Sequence, residues 1–358
     1  MSALDALREQ VQALIARLAD GSRDDASRDA LLARAAPLQA ARIPAYGRLL
    51  RGAATGRWPR ALPTDVFRFT RVAGHPPSED RKVFRTSGTT HGARGEHPFR
   101  ALDLYDQAAR AAASRMLFPE TRRMPLLLLA PPPAQAPDSS LSHMLGRFAE
   151  WFGEGSPRWL MRDGALALGE LREALRAASG PVALLGTSFA LMHAEEGLGA
   201  ERFELAPGSL IMPTGGFKGR SRELDAEAMR RGLIARYGVP DSHIVGEYGM
   251  TELSSQCYET SLVDALEGGP RRPERVLWAP GWVRVTPVDP RTLEAVEEGE
   301  VGLLRIDDLA NVDSVCAIQT SDLGRRVDGA TFALLGRAAQ AQTRGCSLAI
   351  EEALEAGR

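Results

Sequence analysis

The sequence predicts an α/β fold, a body of largely parallel sheet with helices between its strands and a smaller β-rich part after about residue 275. Three observations carry this expectation. Apolar runs of strand length at 125–130, 182–185, 209–212, 244–247, 303–306 and 332–335 recur along the chain, and amphipathic helical segments at 102–118, 141–152, 168–178 and 223–237 lie between several of them. Such alternation is the mark of βαβ units. Past residue 275 the spacing tightens, with turn signals at 279–281, 288–290 and 298–302, as in strands joined by turns rather than helices. Ahead of the body, residues 1–45 read as helical with a Ser/Asp-rich break at 20–27, and Leu4, Leu7, Val11, Leu14 and Leu18 recur on one helix face. The expected organisation is a helical segment 1–45, a body 46–337 that includes the β-rich part 275–337, and a short tail 338–358. No internal repeat interrupts it, and 130–137 is a Pro-rich loop.

Composition narrows the function. A chain of 358 residues is long enough for one large or two ordinary domains. With 44% hydrophobic and 25% charged residues it has the balance of a soluble globular protein. The net charge of −2 offers no general attraction to nucleic acid or to an anionic membrane. Lys82 and Lys218 are the sole lysines, so nearly all basic residues are Arg; coding bias explains this simply, and it makes both lysines stand out. Cys257, Cys316 and Cys346 form no CxxC pair and no short Cys/His spacing, which argues against a zinc site. An odd number of cysteines without a secretion signal points to reduced thiols in a cytoplasm. The charged N-terminal stretch reads as neither a signal peptide nor a membrane span.

The most informative segment is Thr86, Ser87, Gly88, Thr89, Thr90, His91, Gly92, Ala93, Arg94, Gly95, which packs four hydroxyls, three glycines and an arginine into ten residues. Glycines let backbone approach a ligand closely, and amides with hydroxyls donate to phosphate oxygens. Arg94 would add a charge-assisted contact. The GxxxxGK[ST] order of a Walker A loop is absent. On composition alone, an ordinary surface loop stays open.

Residue order favours the phosphate reading. The run resembles the TSGTTGxPKG signature of the adenylate-forming superfamily, with Thr86 through Thr90 matching letter for letter. His91 stands for Gly, Ala93 for Pro and Arg94 for Lys; Arg keeps the charge with a different geometry. A second segment, Gly246, Glu247, Tyr248, Gly249, Met250, Thr251, Glu252, resembles the superfamily's YGxTE motif. The resemblance implies that Tyr248 stacks on adenine, Thr251 contacts the α-phosphate and Glu252 holds Mg²⁺, a hard cation suited to carboxylate and phosphate oxygens. Read without it, the segment is a strand end with a helix cap. Pro213, Thr214, Gly215, Gly216, Phe217, Lys218 and Gly219 resemble the glycine-rich turn of the adenine pocket. Lys218 there faces either the substrate carboxylate or the phosphates, or is simply a solvated lysine. Asp322, in Gln319-Thr320-Ser321-Asp322, stands where the superfamily has the TGD aspartate that binds ribose hydroxyls, with Ser321 in place of Gly; Gly336-Arg337 resembles its hinge.

The resemblance therefore implies the large domain of an adenylate-forming enzyme with a smaller β-rich subdomain, using ATP and Mg²⁺ on a carboxylic acid. Only 21 residues follow Arg337 and none is lysine, so no full C-terminal lid domain is expected. The short tail is similar to that of LuxE-type acyl-protein synthetases, as are the overall length and the stretch Asp138-Ser139-Ser140-Leu141-Ser142. In that family a cysteine near the C-terminus takes the acyl group from acyl-AMP and delivers it to a reductase, and Cys346 in Arg344-Gly345-Cys346 occupies the corresponding place. A thiol beside Arg344 suits this work; a buried structural cysteine is the alternative. Cys257 reads as core or pocket wall and Cys316 as core; His143, opening an apolar helix, either begins the acyl pocket or activates a group there or is structural, and His97 and His193 receive no role. The expected acceptor is a partner protein, reductase or carrier, or CoA. One rival is a short ligase of the phenylacetate-CoA type, in which the acceptor thiol attacks directly; another is an inactive scaffold that binds nucleotide or acyl ligand.

Overall fold

The computed structural model describes all residues except 1, 52–59, 88–92, 120–122, 216–225, 270, 271, 273, 339–353 and 355–358. The chain folds as two units, the first made of Met1–Ala112, Met250–Cys257 and Val276–Arg358, and the second of Ala113–Gly249 and Tyr258–Arg275.

The second unit is a parallel α/β unit, built on the apolar runs at 125–130, 182–185 and 209–212. Its strands lie in the order Glu247–Tyr248, Leu210–Thr214, Ala183–Thr187, Leu126–Leu129, Arg158–Trp159, and every pairing is parallel. Leu126–Leu129 is buried at all four positions, as expected of a parallel strand covered on both faces. The run 244–247 pairs differently from its expectation. Ile244 makes an isolated bridge to Ile211, and the strand proper is Glu247–Tyr248, because a 3₁₀ turn at Asp241–His243 occupies the approach. Helices Ser140–Phe152, Leu168–Ala177, Ser188–Leu198 and Ala226–Tyr237 belong to this unit. Ser139 starts the first by accepting from the Ser142 N–H at 3.1 Å, and Thr187 starts the third by accepting from the Ala190 N–H at 3.0 Å; each meets a donor the helix end leaves orphaned. Leu171, Leu184, Leu191, Ile211 and Leu233 are fully enclosed in one apolar cluster.

In the first unit the helix Ala3–Arg17 buries Leu4, Leu7, Val11 and Leu14, with Leu18 just beyond it also enclosed. It opens on a capping box in which the Asp5 N–H donates to the Ser2 hydroxyl and the Ser2 N–H donates to the Asp5 carboxylate. The next helix, Asp25–Arg42, starts inside the Ser/Asp-rich break, and a further one follows at Pro44–Arg51. The region after 275 is antiparallel: Val283–Val288, Gly302–Asp308, Ala317–Arg326, Thr331–Arg337 and Leu277–Trp278 lie side by side in that order. A separate hairpin pairs Lys82–Arg85 with Glu96–Phe99, and the Lys82 ammonium lies 5.7 Å from the centre of the Phe84 ring. Among the described residues no helix is long and apolar enough to cross a membrane.

One carboxylate anchors segment Met250–Cys257 within this unit. Asp308 is fully buried at the end of its strand and accepts from the Ser254 N–H at 2.9 Å, the Ser255 N–H at 2.8 Å, the Ser255 hydroxyl at 2.7 Å and the Ala310 N–H at 2.9 Å. The Ser255 hydroxyl also accepts from the buried Trp282 indole at 2.9 Å. Asn311 donates to the Glu252 carbonyl at 2.8 Å and accepts from the Ser254 hydroxyl at 2.6 Å. Replacing Asp308 by Asn turns an amide N–H₂ toward donors that need an acceptor. Asp308→Asn is expected to lower stability by about 3 kcal/mol, read by urea unfolding; an unchanged midpoint would show that the four bonds contribute nothing net.

Candidate functional site

The expected phosphate loop belongs to the first unit and is carried by the Lys82–Arg85/Glu96–Phe99 hairpin. Its two ends are joined: the Thr86 N–H donates to the Gly95 carbonyl at 2.9 Å, and the Gly95 N–H donates to the Thr86 hydroxyl at 2.9 Å. An ion pair of Arg85 with Glu96 at 2.9 Å sits one register position further in. Arg94 is exposed and folds back on the loop stem, its guanidinium donating to the Thr86 carbonyl at 2.6 Å and the Arg85 carbonyl at 3.2 Å. Arg68 donates to the Ala93 carbonyl at 3.1 Å. Ser87 is exposed at the loop's outgoing end. Gly88, Thr89, Thr90 and His91 lie outside the described residues, as do Gly216, Lys218 and Cys346.

Thr251 and Glu252 form a turn in the same unit, closed by the Leu253 N–H donating to the Met250 carbonyl at 3.1 Å. Glu252 is buried, with its carbonyl held by Asn311. The chemistry of this donor set can be tested against Mg²⁺. Among the described residues no three or more His, Cys, Asp and Glu side chains gather to hold a metal. A single carboxylate in a turn fits an ion that brings most of its oxygen ligands with a nucleotide, as Mg²⁺ does, and fits poorly a metal caged by protein alone.

Asp322 and Arg337 are direct neighbours across the Ala317–Arg326 and Thr331–Arg337 strands, with the Arg337 Nε 3.9 Å from the carboxylate. The Asp322 N–H donates to the Thr320 hydroxyl at 3.1 Å, and the Ala338 N–H donates to the Ser321 carbonyl at 2.9 Å. Gly336, between Leu335 and Arg337, has φ of +118°, a conformation that L side chains avoid.

In the second unit, Gly215 and Tyr248 stand at the C-terminal ends of adjacent parallel strands, where open α/β sheets bind their ligands. Gly215 follows the Leu210–Thr214 strand at φ +69°, and its carbonyl accepts from the Ser188 hydroxyl at 2.8 Å. Tyr248 is buried beside it on the Glu247–Tyr248 strand. Thr214 and Glu247 are register partners, and the Thr214 hydroxyl donates to the Glu247 carboxylate.

Two residues of these elements are not singled out by the sequence patterns. Glu247 is a buried carboxyl one residue ahead of Tyr248; burial pushes it up to about 7, opposed by the Thr214 hydroxyl. A hint was present, since an acidic residue inside an apolar strand end is uncommon, but it was masked by the motif around it. His97 is fully enclosed on the strand leaving the phosphate loop, and its Nδ1 lies 2.8 Å from the Thr251 carbonyl. Burial holds its imidazole down to about 4, so the ring is neutral near pH 7 and Nδ1 carries the proton donated to that carbonyl. Nothing local marks it. The cysteines expected in the core are there: Cys257 and Cys316 are both buried, and Cys316 accepts from the Gln39 amide at 3.2 Å while burial pushes its thiol well above the usual range. His143 is part-buried in the first turn of its helix, and His193 is exposed.

The acyl-protein synthetase family, LuxE, matches residues 172–355, just over half of the chain. No curated protein matches it. Among solved structures, the chain is similar to 2-hydroxyisobutyryl-CoA ligase in the postadenylation state with 2-HIB-AMP, at TM-score 0.64 and 18% identity over 87% of this chain and 67% of that one. An open conformation of that ligase with 2-HIB-AMP and CoA gives TM-score 0.62 and 17% identity over 87% and 75%. ATP-bound MatB from Rhodopseudomonas palustris gives TM-score 0.51 and 16% identity over 74% and 49%, so the chain spans about half the length of that relative. At these identities the likeness is one of fold, a mixed α/β architecture with a large sheet.

Glu247 makes stability pH-dependent in a defined direction. Its folded-state value lies above the ordinary 4.5, so its contribution is fully present below about pH 4.5 and is lost as pH rises through 7. The non-titrating Glu247→Gln protein is expected to gain on wild type between pH 5 and 8, by at most about 3 kcal/mol. Unfolding of both proteins at the two pH values measures it, and a difference that stays constant would refute the buried carboxyl.

Proposed function

The chain belongs to the LuxE acyl-protein synthetase family, and from that premise we propose that it is an ATP-dependent ligase that activates a carboxylic acid as acyl-AMP and passes the acyl group to a thiol. The observation that carries this reading is the span of the family match, 172–355, which contains Gly215, Tyr248, Thr251, Glu252, Asp322, Arg337 and Cys346 together. The phosphate-loop residues Thr86 to Thr90 precede that span, so the loop supports the reading independently.

In the proposed reaction Thr86, Ser87, Gly88, Thr89, Thr90 and Arg94 hold the β- and γ-phosphates. To do so Arg94 would turn from its bonds to the stem carbonyls of Thr86 and Arg85. Gly215 and Gly216 form the adenine turn, Tyr248 stacks on the base and Asp322 accepts from the ribose hydroxyls. Thr251 contacts the α-phosphate. Glu252 would hold Mg²⁺, whose contribution when bound is to screen the phosphate charge that otherwise repels the incoming carboxylate. Lys218 neutralises the substrate carboxylate or the phosphates. A carboxylate oxygen attacks the α-phosphorus, the bond to the bridging oxygen breaks and pyrophosphate leaves. The Cys346 thiolate then attacks the acyl carbonyl, a thioester forms and AMP departs. Transfer from that thioester to a second thiol, on a reductase or carrier protein or on CoA, regenerates the cysteine. The match to a family of acyl-protein synthetases supports a protein acceptor, and a fatty acid is the proposed substrate class. Arg337, beside Asp322, is the proposed hinge residue; the positive φ at Gly336 supports it.

Three outcomes are expected. Intact-mass analysis after incubation with Mg-ATP and a panel of fatty and aryl acids should show an acyl adduct that maps to Cys346. Cys346→Ser should release pyrophosphate normally while forming no thioester, whereas undiminished acyl transfer to CoA by that variant would favour direct attack by the acceptor. Asp322→Ala should raise the KM for ATP by about tenfold, the worth of one good hydrogen bond, with a smaller change in kcat; an unchanged KM would remove Asp322 from the nucleotide.

A further inference from the structure

His97 joins two segments that the sequence separates by 154 positions. It lies on Glu96–Phe99, the strand that carries the chain out of the phosphate loop. Its Nδ1 donates to the carbonyl of Thr251, in the turn that ends on Glu252. All of these residues belong to the same unit. The ring has no freedom to do otherwise: it is 1% exposed, packs 4.2 Å from the Phe99 ring centre and meets Phe67 edge-on at 5.6 Å. A part-buried carbonyl in a tight turn needs a donor, and one supplied by a rigid ring fixes the turn more tightly than water would.

We propose that His97 is a positioning residue, holding the Thr251 carbonyl to the exit strand of the phosphate loop so that the loop's stem and the Thr251–Glu252 turn keep one spacing. The proposal rests on the adenylation reading above for its catalytic consequence, though the hydrogen bond itself does not. The phosphate loop handles one end of the triphosphate and the turn the other. In-line displacement at the α-phosphorus depends on that spacing, and an error of about 1 Å in such an arrangement costs on the order of 100-fold in rate. His97 touches no reacting atom, so its effect should appear in turnover and in the Mg²⁺ requirement rather than in the KM for the acid.

Three substitutions separate this role from simple packing. His97→Phe keeps an aromatic ring between Phe67 and Phe99 and removes the donor. His97→Asn places an amide N–H where Nδ1 stands, whereas His97→Gln places it where Nε2 stands. Positioning predicts that His97→Phe and His97→Gln lose at least tenfold in acid-dependent ATP–pyrophosphate exchange and need more Mg²⁺ for half-maximal rate, while His97→Asn stays within about threefold of wild type. A packing role predicts the opposite order, with Phe best and Asn worst, and that order would overturn the proposal. Amide hydrogen exchange across 250–257 gives a second reading that needs no activity: faster exchange in Phe and Gln, restored protection in Asn. Wild type without pyrophosphate exchange on any acid would sink the adenylation reading and leave the amide measurement to decide on His97 alone. Equal protection in all three variants would end the positioning role.

Discussion

The arrangement of the motif segment depends on one buried charge. Asp308 sits with no solvent around it, and burial pushes its carboxyl upward, yet it gathers the Ser255 hydroxyl and the backbone N–H groups of Ser254, Ala310 and Ser255 as opposing donors. Water can supply such a carboxylate with several donors at once; a folded chain has to replace all of them or leave the group protonated and half-bonded. Meeting that demand fixes the backbone from Ser254 to Ser255, and Asn311 extends the hold to the Glu252 carbonyl. The turn that carries Thr251 is thus bonded from both sides, by Asn311 through Glu252 and by His97 through Thr251. Local geometry at the proposed phosphate-contacting turn is a by-product of solving a desolvation problem some fifty residues away in sequence.

Position along the parallel strands does comparable work in the second unit. Thr187, Thr214 and Tyr248 close three neighbouring strands at the same end, and each is followed by a different solution for leaving the sheet. Thr187 caps a helix, Thr214 passes into a glycine at positive φ, and Tyr248 leads into the motif turn. The buried Thr214–Glu247 bond joins two of these ends side to side. Polar side chains at the closing positions therefore do for the strand ends what ladder bonds do for their middles.

Much of the architecture was legible from periodicity because burial repeats with the period of the element. Leu4, Leu7, Val11, Leu14 and Leu18 lie inside for this reason, and unbroken apolar runs such as Leu126–Leu129 became central parallel strands. The motifs were legible because glycines, hydroxyls and a carboxylate crowd into short order-specific strings. What stayed hidden has a common physical cause. Asp308 and Ser254, His97 and Thr251, and Glu247 and Thr214 are bonded across 54, 154 and 33 positions, and a single sequence carries no periodic trace of a partner at that distance. The 244–247 run differs for a smaller reason: Ile244, Val245 and Gly246 look like the start of a strand, but after the 3₁₀ turn at Asp241–His243 Ile244 makes only an isolated bridge and the strand proper begins at Glu247.

Lys82, with its ammonium over the Phe84 ring, is one of two lysines among 44 basic side chains. On the proposed chemistry that scarcity has a consequence for the protein's own surface. An acyl adenylate is a mixed anhydride that modifies free amines, and a guanidinium that never gives up its proton is no such target. An arginine coat thus carries the same positive charge while remaining inert to an escaping intermediate. Accidental self-acylation of lysine would be confined to Lys82 and Lys218, which makes those two ammonium groups natural reporters of how well the intermediate is retained.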